Sequence, residues 1–205
     1  MLVQGDKTGD DSLLDLLKAY IKKRDQKPGN VYLGLVHRLD RPTSGVLVFA
    51  KSSKALPRLN KQFAEKTTRK VYWAMVSGNI EKPQDTLKHY LVRKPKQNKS
   101  YAYPKEVPNS KFAELSYSTL KKMERYTLLE VTLKTGRHHQ IRAQLSHKGM
   151  TIKGDLKYGA SRPNKDGSIH LHARLLTIVH PTLKKEITFT APTPVDALWH
   201  ASQQT

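Results

Sequence analysis

Early in the chain apolar positions recur at helical spacing, with Leu13, Leu14, Leu16, Leu17, Tyr20 and Ile21 following Asp10-Asp11-Ser12. Acids at the positive end of the dipole and a serine cap predict a helix start there, and Lys22, Lys23 and Arg24 suit the other end. Pro28-Gly29-Asn30 breaks that helix, and Val31 to Val36 predicts a short strand. Gly45 to Lys51 is nearly all apolar, the pattern of a strand buried on both faces. Ser52-Ser53 is placed to cap a second helix, with Leu56, Leu59 and Phe63 along one side and Lys54, Arg58, Lys61 and Lys66 along the other.

Lys70 to Val76 switches to a period of two, which puts Tyr72, Ala74 and Val76 on one face of a strand and Val71, Trp73 and Met75 on the opposite one. Phe112 to Leu120 and Thr127 to Leu133 predict two more strands, joined as a hairpin through residues 121–125. Residues 135–145 turn from a strand end into a helix that stops at Gly149, with Arg142 about one turn from His138 and His139. His170 to Val179 and Lys185 to Thr190 predict a closing strand pair, with Pro181 bending the connection. Strands outnumber helices and do not alternate with them, so the expected fold is α+β around a mixed, largely antiparallel sheet. No internal repeat or long biased linker divides the chain, which predicts a single domain over residues 1–205.

Charge adds a partner to this picture. Lys and Arg outnumber Asp and Glu by 37 to 17 over 205 residues, a formal net charge of +20, which points to a polyanion. RNA or DNA comes first and an anionic membrane surface second. The membrane reading weakens because no apolar run approaches the roughly 18 residues of a spanning helix. Met1 to Asp6 lacks the build of a secretory signal. With no cysteine there is no disulfide, thiolate metal site or thiol nucleophile, which fits a cytoplasmic protein.

The candidate chemistry starts at His37-Arg38-Leu39-Asp40-Arg41-Pro42-Thr43-Ser44-Gly45, a loop that aims a carboxylate among cations and hydroxyls. Arg38 and Arg41 would hold Asp40 ionised, and an ionised Asp so placed is a candidate nucleophile. The alternative is a turn in which the carboxylate bonds backbone amides. Six histidines (138, 139, 147, 170, 172 and 180) invite a metal reading, but no cysteine is available to complete a site, and no metal is expected. Residues 93–105 interleave cations with Tyr101 and Tyr103, which suits either single-stranded RNA contact or a solvated loop.

Taken together, His37 to Asp40 with Thr43 to Gly45, Lys70 to Ala74, Thr135 to Arg142, Gly154-Asp155 with Tyr158-Gly159, and Leu171 to Ala173 with His180-Pro181 resemble, in order, the motifs of RNA pseudouridine synthases of the RluA type. That resemblance implies the family's fold with a cleft across the middle of the sheet, and an isomerase that detaches uracil from its ribose in rRNA or tRNA and rejoins it through carbon 5. It implies no cofactor, no nucleotide and no membrane, and a monomer is expected. It makes Asp40 the essential catalytic group, Tyr72 the residue that packs on the base and can help remove the carbon 5 proton, and Arg142 the partner of the carboxylate. Arg38 would fill the space left by the flipped uridine, and RNA contact is expected from Arg38, Arg41, Arg137 and His139, with Lys94, Lys96 and Lys99 of the basic stretch. A carboxylate here can attack the sugar, attack the base, or stabilise a cationic sugar.

Gly154-Asp155 and Tyr158-Gly159 are expected to shape a turn beside the cleft. Many members carry a small RNA-binding module ahead of the catalytic domain, and the chain has no room for one, so target selection is expected to fall to the domain's own basic surface. Two rivals stand beside the isomerase. One is a non-catalytic RNA-binding factor of ribosome assembly on the same fold. The other is a carboxylate hydrolase, which lacks a second paired acid.

Overall fold

The structure, a computed structural model, describes residues 3–5, 12–78 and 80–203. Asp10 and Asp11 of the expected helix start lie outside the described residues. The helix itself, α1 (Leu13–Arg24), begins where the sequence places it, because Ser12 and Asp15 form a capping box: the Asp15 N–H donates to Ser12 Oγ and the Ser12 N–H to the Asp15 carboxylate. Such a cap stabilises a helix by about 1 kcal/mol. Its apolar stripe is less deeply set than expected, since only Ile21 is buried while Leu16 and Tyr20 are exposed.

Next come β1 (Gly34–Leu35), β2 (Ser44–Gly45) and β3 (Phe49–Ala50), each of two residues. The strand expected over 31–36 thus shrinks to its centre, and the continuous strand expected over 45–51 does not form. Its two ends pair with different partners, Gly45 with Ala173 and Phe49–Ala50 with β1. Gly45 adopts φ +120°, and a Cβ there would lie 2.3 Å from the Ala173 carbonyl oxygen, so the chain meets another strand where no side chain fits. Helix α2 (Ala55–Ala64) follows, with Ser52 Oγ accepting the Ala55 N–H and Leu59 buried. Lys66 lies beyond the end of this helix, with φ +59°.

Strands β4 (Arg69–Ser77), β5 (Gln84–Lys94), β6 (Lys99–Tyr103), β7 (Lys111–Lys122) and β8 (Thr127–Leu133) build the sheet. Residues 84–103 correct the expectation of a basic loop: they form a hairpin, β5 on β6, turning through Pro95–Gln97 and a left-handed Asn98. Helix α3 (Gln140–His147), β9 (Thr151–Ile152), β10 (Leu171–Val179), β11 (Glu186–Thr190) and α4 (Ala197–Gln203) complete the order. Helix α4 had no counterpart among the expected elements.

The main sheet runs β11-β10-β4-β8-β7-β5-β6, with β2 beside β10 and β9 beside β4. Every pairing is antiparallel except β2 with β10. The alternation of β4 sorts the core as the sequence predicts. Tyr72, Ala74 and Val76 join Leu115, Leu129, Val131, Ile141 and Leu145 under α3, while Trp73 and Met75 pack with Leu128 and Trp199 of α4 on the other face. Leu176 and Ile178 of β10 pack with Leu59, Leu56 and Phe63 of α2. Since Leu176 stands opposite Lys70, two residues before Tyr72, α2 and α3 cover the same face and leave a gap over the middle strands.

Candidate active site

That gap is a cleft of about 340 Å³, within the usual size range of small-molecule sites. Asp40, Tyr72, Arg142, Arg38, Arg137 and His139 all line it, although they come from the loop before β2, from β4 and from the N-terminal end of α3. Arg41 is exposed outside the lining, and of the hairpin lysines Lys94 ends β5 and Lys96 sits on the turn, both exposed.

The Asp40 loop is held from several sides. The Thr43 N–H donates to the Asp40 carbonyl at 2.8 Å, the Ile169 N–H to the Pro42 carbonyl at 2.9 Å, and Ser44 Oγ lies 2.8 Å from His172 Nδ1. The loop therefore does build a turn, but through the backbone of Asp40. Its carboxylate is left for Arg142, whose Nη1 donates to Asp40 Oδ2 at 3.1 Å. Here the structure corrects the expected neighbours: among the described residues neither Arg38 nor Arg41 forms an ion pair with Asp40, and the cation that does comes from 102 positions away.

Arg142 itself is anchored more tightly elsewhere. Its Nε and Nη2 both donate to Asp155, each at 2.7 Å, a bidentate pair in which Asp155 is buried. The guanidinium also lies over the Tyr158 ring, 5.0 Å from its centroid. Burial by itself would lower the Arg142 pKa, but the hydrogen bonds and charge of Asp155, with those of Asp40, raise it instead. Asp155 and Tyr158, expected only to shape a turn, are thus the support of the site. Their spacing across the short helix Leu156–Tyr158 was the available signal, because one tight turn brings both to the same place. Asp155 is also a second acid near Asp40, against the expectation that none exists. With both its oxygens held by Arg142 it is not part of the cleft lining, so it does not revive a paired-acid hydrolase.

His139 lines the cleft and also supports it from within. It is buried, adopts a left-handed φ of +52°, and sets its Nδ1 3.0 Å from the Tyr158 hydroxyl and its Nε2 3.6 Å from Asp40. A left-handed non-glycine residue costs on the order of 1–3 kcal/mol and persists only where its surroundings over-determine it. Those surroundings are dense. His138 stacks on it at 3.8 Å, and Gln140 braces the loop by accepting the Arg137 N–H and donating to the Glu114 carbonyl. Burial first, and then the nearby Arg142, push the His139 pKa down to about 3, so the ring is neutral at pH 7.

Tyr72 stands in the cleft wall, where burial and the adjacent Asp40 charge raise its phenol pKa, keeping it protonated. The hairpin is tied to the site through its tip. Ser100 Oγ lies 2.9 Å from His138 Nδ1, the Ser100 N–H donates to the Tyr158 hydroxyl at 2.8 Å, and Lys157 Nζ donates to the carbonyls of Gln97 and Asn98. Lys99 is half-buried, its Nζ over the rings of Tyr101 and Tyr158. Arg93, in the basic stretch but not among the expected contacts, reaches the cleft lining.

The histidines of the metal reading have protein partners. His172 is bracketed by Ser44 and the Ala191 carbonyl, and His180 Nδ1 accepts the N–H groups of Thr182 and Leu183. His170 finds an acid across the fold, its Nε2 lying 3.0 Å from Oδ1 of Asp196, 26 positions away. Its ring also stacks on Trp199, which closes α4 onto the sheet.

Residues 1–147 match the family model described as RNA pseudouridylate synthase, which spans Asp40, Tyr72 and Arg142 and stops short of Asp155 and Tyr158. An uncharacterized RNA pseudouridine synthase of Chloroflexus aurantiacus is 40% identical over 169 residues, 82% of this chain and 52% of its own length. Ribosomal large subunit pseudouridine synthase C of Buchnera aphidicola is 38% identical over 180 residues, covering 81% of this chain and 55% of its own. The chain spans about half the length of the curated relatives it matches. Among solved structures, human RNA pseudouridylate synthase domain containing 4 superposes with a TM-score of 0.81 at 23% identity, over 98% of this chain and 84% of that one, which shows a shared fold.

Proposed function

The chain belongs to the RNA pseudouridylate synthase family, and from that premise we propose that it isomerises uridine to pseudouridine in RNA with Asp40 as the catalytic carboxylate. The observation that carries this reading is the Asp40–Arg142–Asp155 chain. A carboxylate faces a cleft while the arginine that orients it is fixed bidentately from behind by a buried acid. Bidentate anchoring fixes direction as well as charge. A nucleophile prepared in this way acts on a substrate without having to reorganise its own partner.

The proposed reaction breaks the bond between N1 of uracil and C1′ of ribose and forms one between carbon 5 and C1′. The hydrogen on carbon 5 leaves as a proton, and N1 gains one. Asp40 engages C1′ or the base ring during the exchange, and either route needs the carboxylate ionised and directed into the cleft. Tyr72, kept protonated by burial and by Asp40, is suited to pack on the base and to donate a hydrogen bond, and poorly suited to take a proton from carbon 5 in the free enzyme. Arg38, exposed at the cleft rim two residues from Asp40, has the flat guanidinium and the reach to replace a flipped base in its stack. Relatives named for the large ribosomal subunit make its RNA the first substrate to examine.

Large-subunit ribosomal RNA transcribed with tritium at carbon 5 of uridine supplies the test. The wild-type protein releases tritium, and Asp40→Asn lowers the rate by at least about 10³-fold, the scale of losing a nucleophile. RNA affinity stays within a few-fold. Release at the wild-type rate from Asp40→Asn sinks the proposal. A wild-type protein that binds this RNA and transfer RNA but releases tritium from neither favours the assembly factor.

A further inference from the structure

Among the described residues, Lys70 is the cation of the cleft that is half-buried and has neither an ion pair nor a hydrogen bond. Arg142 is neutralised by two carboxylates, Arg137 Nε donates to the Phe112 carbonyl, and Arg38 and Arg93 are exposed to solvent. Lys70 makes no hydrogen bond or ion pair with any described residue. Its Nζ lies 5.9 Å from the Phe63 ring centroid and 3.6 Å from where a Cβ on Gly136 would stand, so it is held between α2 and the loop before α3. Burial first, and the neighbouring Lys66 second, lower its pKa, the direction expected of an ammonium that has shed water without finding a counterion.

A second donor in the same wall is equally unused. His37 lies in the cleft lining, stacked on Phe63 with ring centroids 4.7 Å apart. The Val48 N–H donates to His37 Nε2 at 3.1 Å, so that nitrogen carries a lone pair. Burial and Lys70 push the His37 pKa down to about 4, and the neutral ring must then carry its proton on Nδ1. That N–H has no acceptor among the described residues. Two unpaired donors, one of them charged, are what a group with several anionic oxygens satisfies.

We propose that Lys70 and the Nδ1–H of His37 form an oxyanion subsite that takes a backbone phosphate of the strand entering the cleft. This rests on the reading that the substrate is RNA. Lys70 and Tyr72 project to the same face of β4, so a phosphate on Lys70 would position the nucleotide whose base reaches Tyr72. Lys70 is a substrate-binding residue here, with no part in the bond exchange.

The test uses fluorescein-labelled octauridylate and a salt titration of its affinity. For Lys70→Gln the slope of log affinity against log salt falls by about 0.7, the value for one single-strand phosphate contact, and Lys70→Arg restores it. The melting temperature of Lys70→Gln equals or exceeds that of the wild type, because an unpaired, partly dehydrated charge is removed. Inorganic phosphate at millimolar concentration competes with the oligonucleotide more weakly for Lys70→Gln than for the wild type. An unchanged slope, or a reduced slope accompanied by a lower melting temperature and not restored by arginine, overturns the proposal. Tritium release from ribosomal RNA is read separately: if the wild type shows none while the slope changes as stated, the isomerase reading fails and the phosphate subsite stands.

Discussion

The charges behind the cleft and the charges on the hairpin are made of the same residue types and do opposite work. Arg142 is buried between two acids and an aromatic ring, with its contacts at 2.7 and 3.1 Å, and has one orientation. Lys94 at the end of β5 and Lys96 on the turn stand exposed with no ion pair among the described residues. In a low-dielectric setting each partner of a charge is strongly coupled to it, so geometry is determined and removing a partner is expensive. In water and salt the same charge is screened within about 8–10 Å and contributes affinity without fixing a pose. Orienting a carboxylate and attracting a polyanion are therefore tasks for different cations of one basic protein.

The contrast is broken most directly at Asp155. Asp155→Asn leaves Arg142 buried with half of its compensation, and removing one partner of such a pair costs about 3–5 kcal/mol. Urea unfolding should show this destabilisation, and tritium release should fall as Asp40 loses its fixed partner. A destabilisation below about 1 kcal/mol would place Asp155 with the surface charges instead.

Acid sharpens it next. His139 titrates near 3 in the folded protein and near its ordinary value of 6.5 when unfolded, so the unfolded chain binds the extra proton first. The neutral, buried ring is fully compatible with folding above pH 6.5, and stability declines as pH falls from 6.5 toward 3. Thermal melts of His139→Gln should show a shallower decline across that window than the wild type. Equal slopes would mean that His139 is solvated.

The smallest effect belongs to the hairpin. Replacing Lys94 and Lys96 with Gln should lower the salt dependence of RNA affinity by about 0.7 for each phosphate no longer neutralised and leave the melting temperature unchanged. A fluorescence titration at several salt concentrations reads both the affinity and its slope. An unchanged slope assigns these lysines to solubility.

Sequence legibility followed the same division. The serine cap at Ser12, the alternation of β4 and the β7–β8 hairpin are local patterns, and they stand where the pattern put them. The strand expected over 45–51 failed because apolar composition carries no information about pairing partners, and its two ends pair with different strands. The β5–β6 hairpin was hidden because lysines on an edge strand look like lysines in a loop. Asp155 and Tyr158 were visible as a turn, yet nothing local announced that their partner would be Arg142.

The sequence alone determined the fold class, the basic character and the residue types able to carry the chemistry, because periodicity, charge and motif are properties of neighbouring positions. Only tertiary structure decided that Asp40 is served by Arg142 and not by Arg38 or Arg41, that His139 is buried, and that Lys70 has no partner among the described residues. Those facts depend on distance and dehydration. Residues 102 positions apart come within 3.1 Å only once the sheet has brought a loop and a helix to the same cleft.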